Sequence, residues 1–286
     1  LPFEIIIADN SPGGHAAPLV AELQNQPVPV RRVPASPPNI SIARNTGLRA
    51  ARAPLVAFLD DDLEVEPGWL DAFVETLETT GADVALGRLR PRFMSGGPPE
   101  WDKTAHRFNR LLPAPSGTPL IISGPNRTRG FAMTTATSIW RASRCFTDEQ
   151  PFDPAFGASG GEDFELFLRL ETLGRRFVWC AEAVVQETIP TERNAFWYNF
   201  LRAYSGSQAY AAATIKHAPS PFASAVNIML RGAVQAIYLT LHALMLLPFG
   251  LARAQARLIL TANALGKVLW WRKLQLYHVE KAPTGA

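Results

Sequence analysis

Residues 55–62 read Leu55-Val56-Ala57-Phe58-Leu59-Asp60-Asp61-Asp62, an unbroken apolar run that ends on three carboxylates. An apolar run of this length without alternation marks a strand covered on both faces, as inside the sheets of α/β proteins. Three adjacent carboxylates repel one another unless a cation or solvent screens them. An isolated acidic triplet reads as a solvated turn. At the end of a buried strand the carboxylates are held together, which predicts a cation site. Their hard oxygen donors suit Mg2+ or Mn2+, ions that keep positions open for phosphate.

The same pattern extends on both sides. Residues 4–8 form a second apolar run, ending at Asp9 and the turn Asn10-Ser11-Pro12-Gly13-Gly14. Residues 28–33 read as another strand. Ser41 is expected to cap a helix reaching Ala51, with Ile42 and Leu48 on its apolar face. Trp69, Leu70, Phe73, Val74 and Leu77 recur at helical spacing. Strands are expected at 84–86, 131–140 and 177–180, and helices at 163–173 and 194–216. Residues 91–130 are irregular and rich in Pro, Gly and Arg. Strands alternating with helices predict α/β layers around a mostly parallel sheet, whose ligands gather at the carboxyl ends of strands. Asp9 and Asp60–Asp62 occupy two such ends. Gly160-Gly161-Glu162-Asp163 opens a predicted helix: the glycines permit close approach, and a helix start favours negative charge.

Composition narrows the function classes. Of 286 residues, 47% are hydrophobic and 19% charged, which excludes a disordered chain. The formal charge of +3 comes without a Lys/Arg block, so no nucleic-acid partner is expected. A phosphorylated small molecule or an anionic lipid fits better. Cys145 and Cys180 form no CxxC and read as buried thiols of a reducing cytosol. After Pro221 the character changes: residues 232–251 hold no charged side chain and are long enough for a hydrocarbon core of ~30 Å. A second apolar stretch, 258–271, ends in Trp270-Trp271-Arg272-Lys273. Pro248-Phe249-Gly250 lies between them and is expected to turn the chain. Arginines at both ends favour a hairpin, re-entrant or interfacial anchor over one span. The chain therefore divides into residues 1–220 and an apolar helical, membrane-associating region with its tail, 221–286.

Four segments in this order resemble family 2 glycosyltransferases: the strand ending at Asp9, Ser41-Ile42-Ala43-Arg44-Asn45-Thr46-Gly47, Phe58-Leu59-Asp60-Asp61-Asp62 and Gly161-Glu162-Asp163-Phe164-Glu165-Leu166. Pro190-Thr191-Glu192-Arg193, with Trp197 and Arg202, is similar to bacterial exopolysaccharide glucosyltransferases of the succinoglycan type. The resemblance implies a GT-A (Rossmann-like) fold and inverting transfer from a nucleotide-sugar, expected to be a UDP-sugar. The acceptor it implies is a lipid-linked saccharide or a polysaccharide in cell-surface polysaccharide synthesis. The implied place is the cytoplasmic face of the bacterial inner membrane, among membrane lipids. By position, Asp9 resembles the acidic residue that recognises the base, and Arg44 and Asn45 resemble residues lining the nucleotide pocket. Asp60 and Asp62 match the metal-binding ends of a DXD motif, with Asp60 and Asp61 also on the substrate side. Asp163 matches the catalytic base, Glu162 an acceptor-positioning neighbour, and Arg193 a diphosphate contact. The resemblance also implies a strand ahead of Leu1, so the sheet is expected to lack its first strand and the chain to be amino-terminally truncated. The alternatives are an inactive truncated membrane protein of this kind and a nucleotidyltransferase. The latter needs a phosphate loop where Asp9 would face the phosphates.

Overall fold

The computed structural model describes residues 2–158 and 160–274; Leu1 and the expected tail after residue 274 lie outside the described residues. In chain order the elements are β1 (Ile5–Asp9), α1 (Ala16–Glu22), β2 (Val30–Pro34), α2 (Ile40–Ala50), β3 (Leu55–Leu59), β4 (Leu63–Val65), α3 (Trp69–Thr80), β5 (Val84–Phe93), β6 (Pro119–Leu120), β7 (Thr137–Arg141), α4 (Ala142–Cys145), α5 (Pro154–Gly157), α6 (Glu162–Thr172), β8 (Phe177–Ile189), α7 (Thr191–Asn194), α8 (Phe196–Lys216), α9 (Pro221–Leu246) and α10 (Leu251–Val268).

The α/β class holds, while the sheet is mixed rather than mostly parallel. The described strands form a β1–β2 pair and a six-stranded sheet in the order β3-β7-β5-β8-β4, with β6 on β8. Only β1–β2 and β5–β8 run parallel. Parallel neighbours need a crossover, usually a helix. Here the irregular residues 94–136 return the chain to the end of the sheet at which β5 leaves it, so β7 lies antiparallel to both β3 and β5. The acidic turn after β3 folds the chain directly into β4, which pairs antiparallel with β8. β1 and β3 each have one strand partner among the described residues, and α2 spans the two sheets by packing on β1 while Leu48 reaches the main core.

Two layers bury the six-stranded sheet. Alternate residues of β5, β7 and β8 point to opposite faces. Val84, Leu86, Trp140, Phe177 and Trp179 join Leu166, Phe167 and Leu170 of α6 on one side. Ala85, Leu89, Ile139, Val178 and Cys180 join Phe73 and Leu77 of α3 on the other. Cys145 and Cys180 are free and buried. Burial, with Asp83 beside it, pushes the Cys145 thiol up to about 12.

The helices after residue 220 return to this body. Gly250, with φ of 122°, turns the chain from α9 into α10. α10 packs on both α8 and α9. The Gln208 side chain donates to the carbonyls of Leu269 and Arg272 and accepts from the Leu274 N–H, fastening the end of α10 to α8. The α8–α10 contact depends on a missing side chain: a Cβ on Gly266 would lie 2.2 Å from the Tyr204 carbonyl oxygen. We expect Gly266→Ala to force the helices apart and cost about 1–3 kcal/mol, lowering the melting temperature. Gly206→Ala on α8 meets nothing within 4 Å and should leave stability unchanged or raise it by up to about 1 kcal/mol. Equal melting temperatures for the two variants would contradict the packing account.

Candidate active site

The segment Ser41–Gly47 does its work by lacing α2 to the chain around residue 153. The helix is capped by Asn39, not Ser41: the Asn39 side chain accepts from the Ser41 and Ile42 N–H groups. Ser41 instead donates its hydroxyl to the Asp153 carbonyl at 3.0 Å. Asn45 donates to the Phe152 carbonyl and accepts from the Phe152 N–H, so both ends of its amide are used. At 3% exposure Asn45 is held by these bonds and ties α2 to the chain at residue 152.

These ties fix Arg44, which is 8% exposed and lies over the Phe152 ring. Its guanidinium donates to three carboxylates, one in the turn after β3 and two in the first turn of α6. Nη1 reaches Glu162 at 2.7 Å and also Asp163; Nη2 reaches Asp60 at 3.3 Å. Burial alone would loosen its proton, but Asp163, Asp60 and Glu162 outweigh that and hold Arg44 charged. The resemblance implied a nucleotide-lining position; the structure puts Arg44 at the junction of the acidic turn and the start of α6.

Gly161, with φ of 99°, turns the chain into α6. The space its missing side chain leaves is filled by Ala209 of α8, 2.4 Å from where a Cβ would lie. Glu162 and Asp163 follow in the first turn, and their environments separate them. Asp163 accepts from Thr135 N–H at 3.0 Å, Thr135 Oγ1 at 2.7 Å and Thr134 Oγ1 at 3.2 Å. Burial raises its pKa, but Arg44 and then these Thr135 bonds more than reverse that and hold the carboxyl below its ordinary value. Burial and then the charge of Asp163 push Glu162 up to about 7, against the pull of Arg44. Its second oxygen is buried with no hydrogen-bond partner among the described residues.

A second group adjoins the first. Arg193 donates to Asp62 at 2.7 Å and lies 3.8 Å from Glu187. Arg110, held by a backbone bridge to Leu89, sits in the field of Glu187, Asp163 and Asp60 with Arg202 beside it. Asp61 is exposed. Asp9 stands apart. Its carboxylate accepts from Ser11 N–H and hydroxyl, Ala16 N–H and Arg32 Nε, and so shapes the Asn10–Gly14 turn. Sequence reasoning missed Thr134, Thr135, Arg110 and Glu187. The two threonines precede the strand that pairs with β3, a position without a pattern of its own.

The carboxylates of the turn fit a divalent cation. Burial raises Asp60, and repulsion from Asp163 and Asp62 adds to this against Arg44, a repulsion that a bound cation would relieve. Among the described residues no group of three or more His, Cys, Asp or Glu side chains is placed to hold a metal ion. Mg2+ and Mn2+ suit such a partial set, because one or two carboxylates with substrate phosphates and water complete their shell.

A family model described as Glycosyl transferase family 2 matches residues 1–141. The chain is 30% identical over 278 residues to the succinoglycan biosynthesis protein ExoM of Rhizobium meliloti (strain 1021), spanning 96% of this chain and 85% of that protein. The chain belongs to glycosyltransferase family 2. A shorter match, 36% over 55 residues, joins this glycosyltransferase to AglE of Haloferax volcanii; it covers 19% of the chain and 18% of that protein. In fold it resembles S. aureus TarS 1-349, with a TM-score of 0.50 at 14% identity over 91% of this chain and 81% of that one. The fold is thus of the GT-A type, and the family excludes the nucleotidyltransferase alternative.

The raised carboxyl of Glu162 has a pH signature. A folded-state pKa of about 7 against 4.5 for the free side chain means the folded protein keeps a proton that the unfolded chain releases. That contribution is full below about 4.5 and fades as pH rises through about 7. Between pH 5 and 8, wild-type unfolding free energy should fall relative to that of Glu162→Gln, by on the order of 2 kcal/mol. This window lies above the one in which Asp163 titrates. Parallel pH profiles in chemical denaturation would contradict the assignment.

Proposed function

We propose that this protein is an inverting glycosyltransferase that moves a sugar from a nucleotide-sugar, a UDP-sugar, to a lipid-linked saccharide or polysaccharide acceptor. The observation that carries the reading is the shared guanidinium. Arg44 ties Asp163 and Asp60 together, so a proton acceptor and the carboxylates suited to a cation–diphosphate unit face one centre. The role of the 30% identical relative in succinoglycan biosynthesis supports a cell-surface polysaccharide as the product. A non-polar helix on the surface, described below, supports work at a membrane, taken here as the cytoplasmic face of the bacterial inner membrane. In this reading residues 1–220 carry the chemistry and the region after 220 attaches it to lipid.

Asp163 is the base in this scheme. Its side chain is 18% exposed against 7% for Glu162, and its lowered pKa keeps it ionised at neutral pH. An acceptor hydroxyl gives its proton to Asp163 as its oxygen bonds to the anomeric carbon. The bond from that carbon to the diphosphate oxygen breaks on the opposite side, nucleoside diphosphate leaves, and the configuration inverts. Asp60 and Asp62 would hold Mg2+ or Mn2+, which supplies charge stabilisation to the leaving diphosphate. Arg193, which neutralises Asp62 in this structure, stands ready for the diphosphate. Glu162 orients Arg44, and Asp61 lies at the exposed rim beside the substrate. Asp9 shapes the loop offered to the base, and Asn45 supports the site from behind.

The test is transfer from UDP-sugars to a lipid-linked acceptor with Mg2+, Mn2+ or EDTA. Transfer should need the metal. Asp163→Asn should lower it by about 10²–10⁴-fold per folded molecule, with donor affinity near wild type at a temperature where the variant stays folded. Near-normal transfer by a folded Asp163→Asn protein would shift the base to Glu162. Transfer that is indifferent to EDTA would remove the metal from the scheme.

A further inference from the structure

Helix α9 is built inside out. Its face toward α10 carries small residues: Gly232, Ala236 and Ala243 are its buried positions. A Cβ on Gly232 would lie 2.9 Å from the Ala264 carbonyl. The opposite face carries large apolar side chains, including Val234 at 68% exposure, Ile237 at 64%, Leu241 at 57% and Met245 at 72%, and Phe222 is 81% exposed at the helix start. At 100° per residue Val234, Ile237, Leu241 and Met245 fall on one side of the helix. Water-soluble helices place large residues inward; small residues at the helix contact and large ones outward suit a lipid environment. An exposed apolar stripe this long needs a partner.

Charge indicates which partner. Between Pro221 and Leu274 there is no aspartate or glutamate, against Arg231, Arg253, Arg257, Lys267, Arg272 and Lys273. A second copy would bring this all-basic region against like charge, and a protein partner against mixed charge. A bilayer with anionic headgroups complements it, at roughly 1 kcal/mol per basic residue near the surface.

Layering decides the orientation. The segment Pro221–Phe249 has a mean hydropathy of 1.5 and the length to cross a bilayer. Yet α9 packs on α10, α10 on α8, and α8 on α6, whose first turn carries Glu162 and Asp163. Upright, α9 would draw α10 into hydrocarbon with Arg253, Arg257 and Lys267, at a cost of roughly 2.5–3.5 kcal/mol for each charge near the centre. Lying flat, it buries only its outer face and leaves α10, α8 and the carboxylate centre above it in water.

We propose that α9 is a monotopic docking surface, lying in the plane of an anionic bilayer with Phe222, Val234, Ile237, Leu241 and Met245 in the acyl boundary. The proposal needs no part of the sugar-transfer reading, and its test measures no transfer. Full-length protein is floated with vesicles of phosphatidylcholine alone or of phosphatidylcholine and phosphatidylglycerol in equal parts. Binding to the anionic vesicles should exceed binding to the neutral ones, and Ile237→Glu/Leu241→Glu should weaken it about tenfold or more with an unchanged melting temperature. Single cysteines at 222, 234 and 249 are labelled with an environment-sensitive dye, Cys145 and Cys180 being buried. Quenching by brominated lipids should place all three labels at one shallow depth. A deeper position at 234 than at both ends would mean a span and overturn the proposal. Failure to float, with a dimer in sedimentation that the double substitution splits, would assign the face to a second copy and also overturn it.

Discussion

One buried guanidinium ties together parts of the chain that lie far apart in sequence. Arg44 sits among Asp60 after β3 and Glu162 and Asp163 at the start of α6, over a hundred residues further on. Carboxylates crowded in a partly dry space repel one another, and each would otherwise take up a proton or move apart. Arginine suits this place better than lysine: its planar fork donates in several fixed directions and does not give up its proton. Buried ion pairs of this kind contribute little net stability, but removing one partner leaves uncompensated charge and costs about 3–5 kcal/mol. The fold spends local structure on keeping Arg44 in place, through Asn45 on the Phe152 backbone, Ser41 on Asp153 and Asn39 on Pro154.

The arrangement also divides labour between neighbouring acids. Glu162 and Asp163 are adjacent in sequence and share Arg44, yet only Asp163 receives the Thr134 and Thr135 donors. The threonines lie just ahead of β7, which pairs with the strand leading into the acidic turn. One antiparallel pairing thus aligns the donors that keep Asp163 ionised with the carboxylates of Asp60–Asp62. At the other side of the centre, Arg193 and Arg110 bring positive charge toward Asp62 and Glu187.

Much of this was legible in the sequence because the decisive signals are local. The apolar run before Asp60–Asp62, the glycines before Glu162, and Pro248-Phe249-Gly250 between two apolar stretches are short-range patterns, and each marks a strand, a helix start or a turn. The run before Asp60 was expected to be covered on both faces, whereas β3 is a half-exposed strand at the end of the described sheet, with Leu59 at 45% exposure, because a local run does not say which strands flank it. The direction of β7 was not legible: it depends on how residues 94–136 cross the molecule, and that stretch has no periodicity. The contacts of Arg44 and Asn45 were not legible for a related reason. Their partners, at 152 and 162–163, are distant in sequence, and a buried arginine reads the same as a ligand-facing one until the fold is closed. Composition marked residues 221–271 as apolar; only the packing of α10 against α8 distinguishes an upright helix from a flat one.

The most direct test of the central claim is a double-mutant cycle on unfolding free energy, with Arg44→Met against Asp163→Asn and against Asp60→Asn at pH 8. If Arg44 is the common clamp, each pair should couple by about 1–3 kcal/mol, the neutralised carboxylate recovering much of what the lost arginine costs. The Asp163 coupling should be the larger, as that contact is the closer. Additivity within about 0.5 kcal/mol in both cycles would contradict the account and leave the three carboxylates to be held by something other than Arg44.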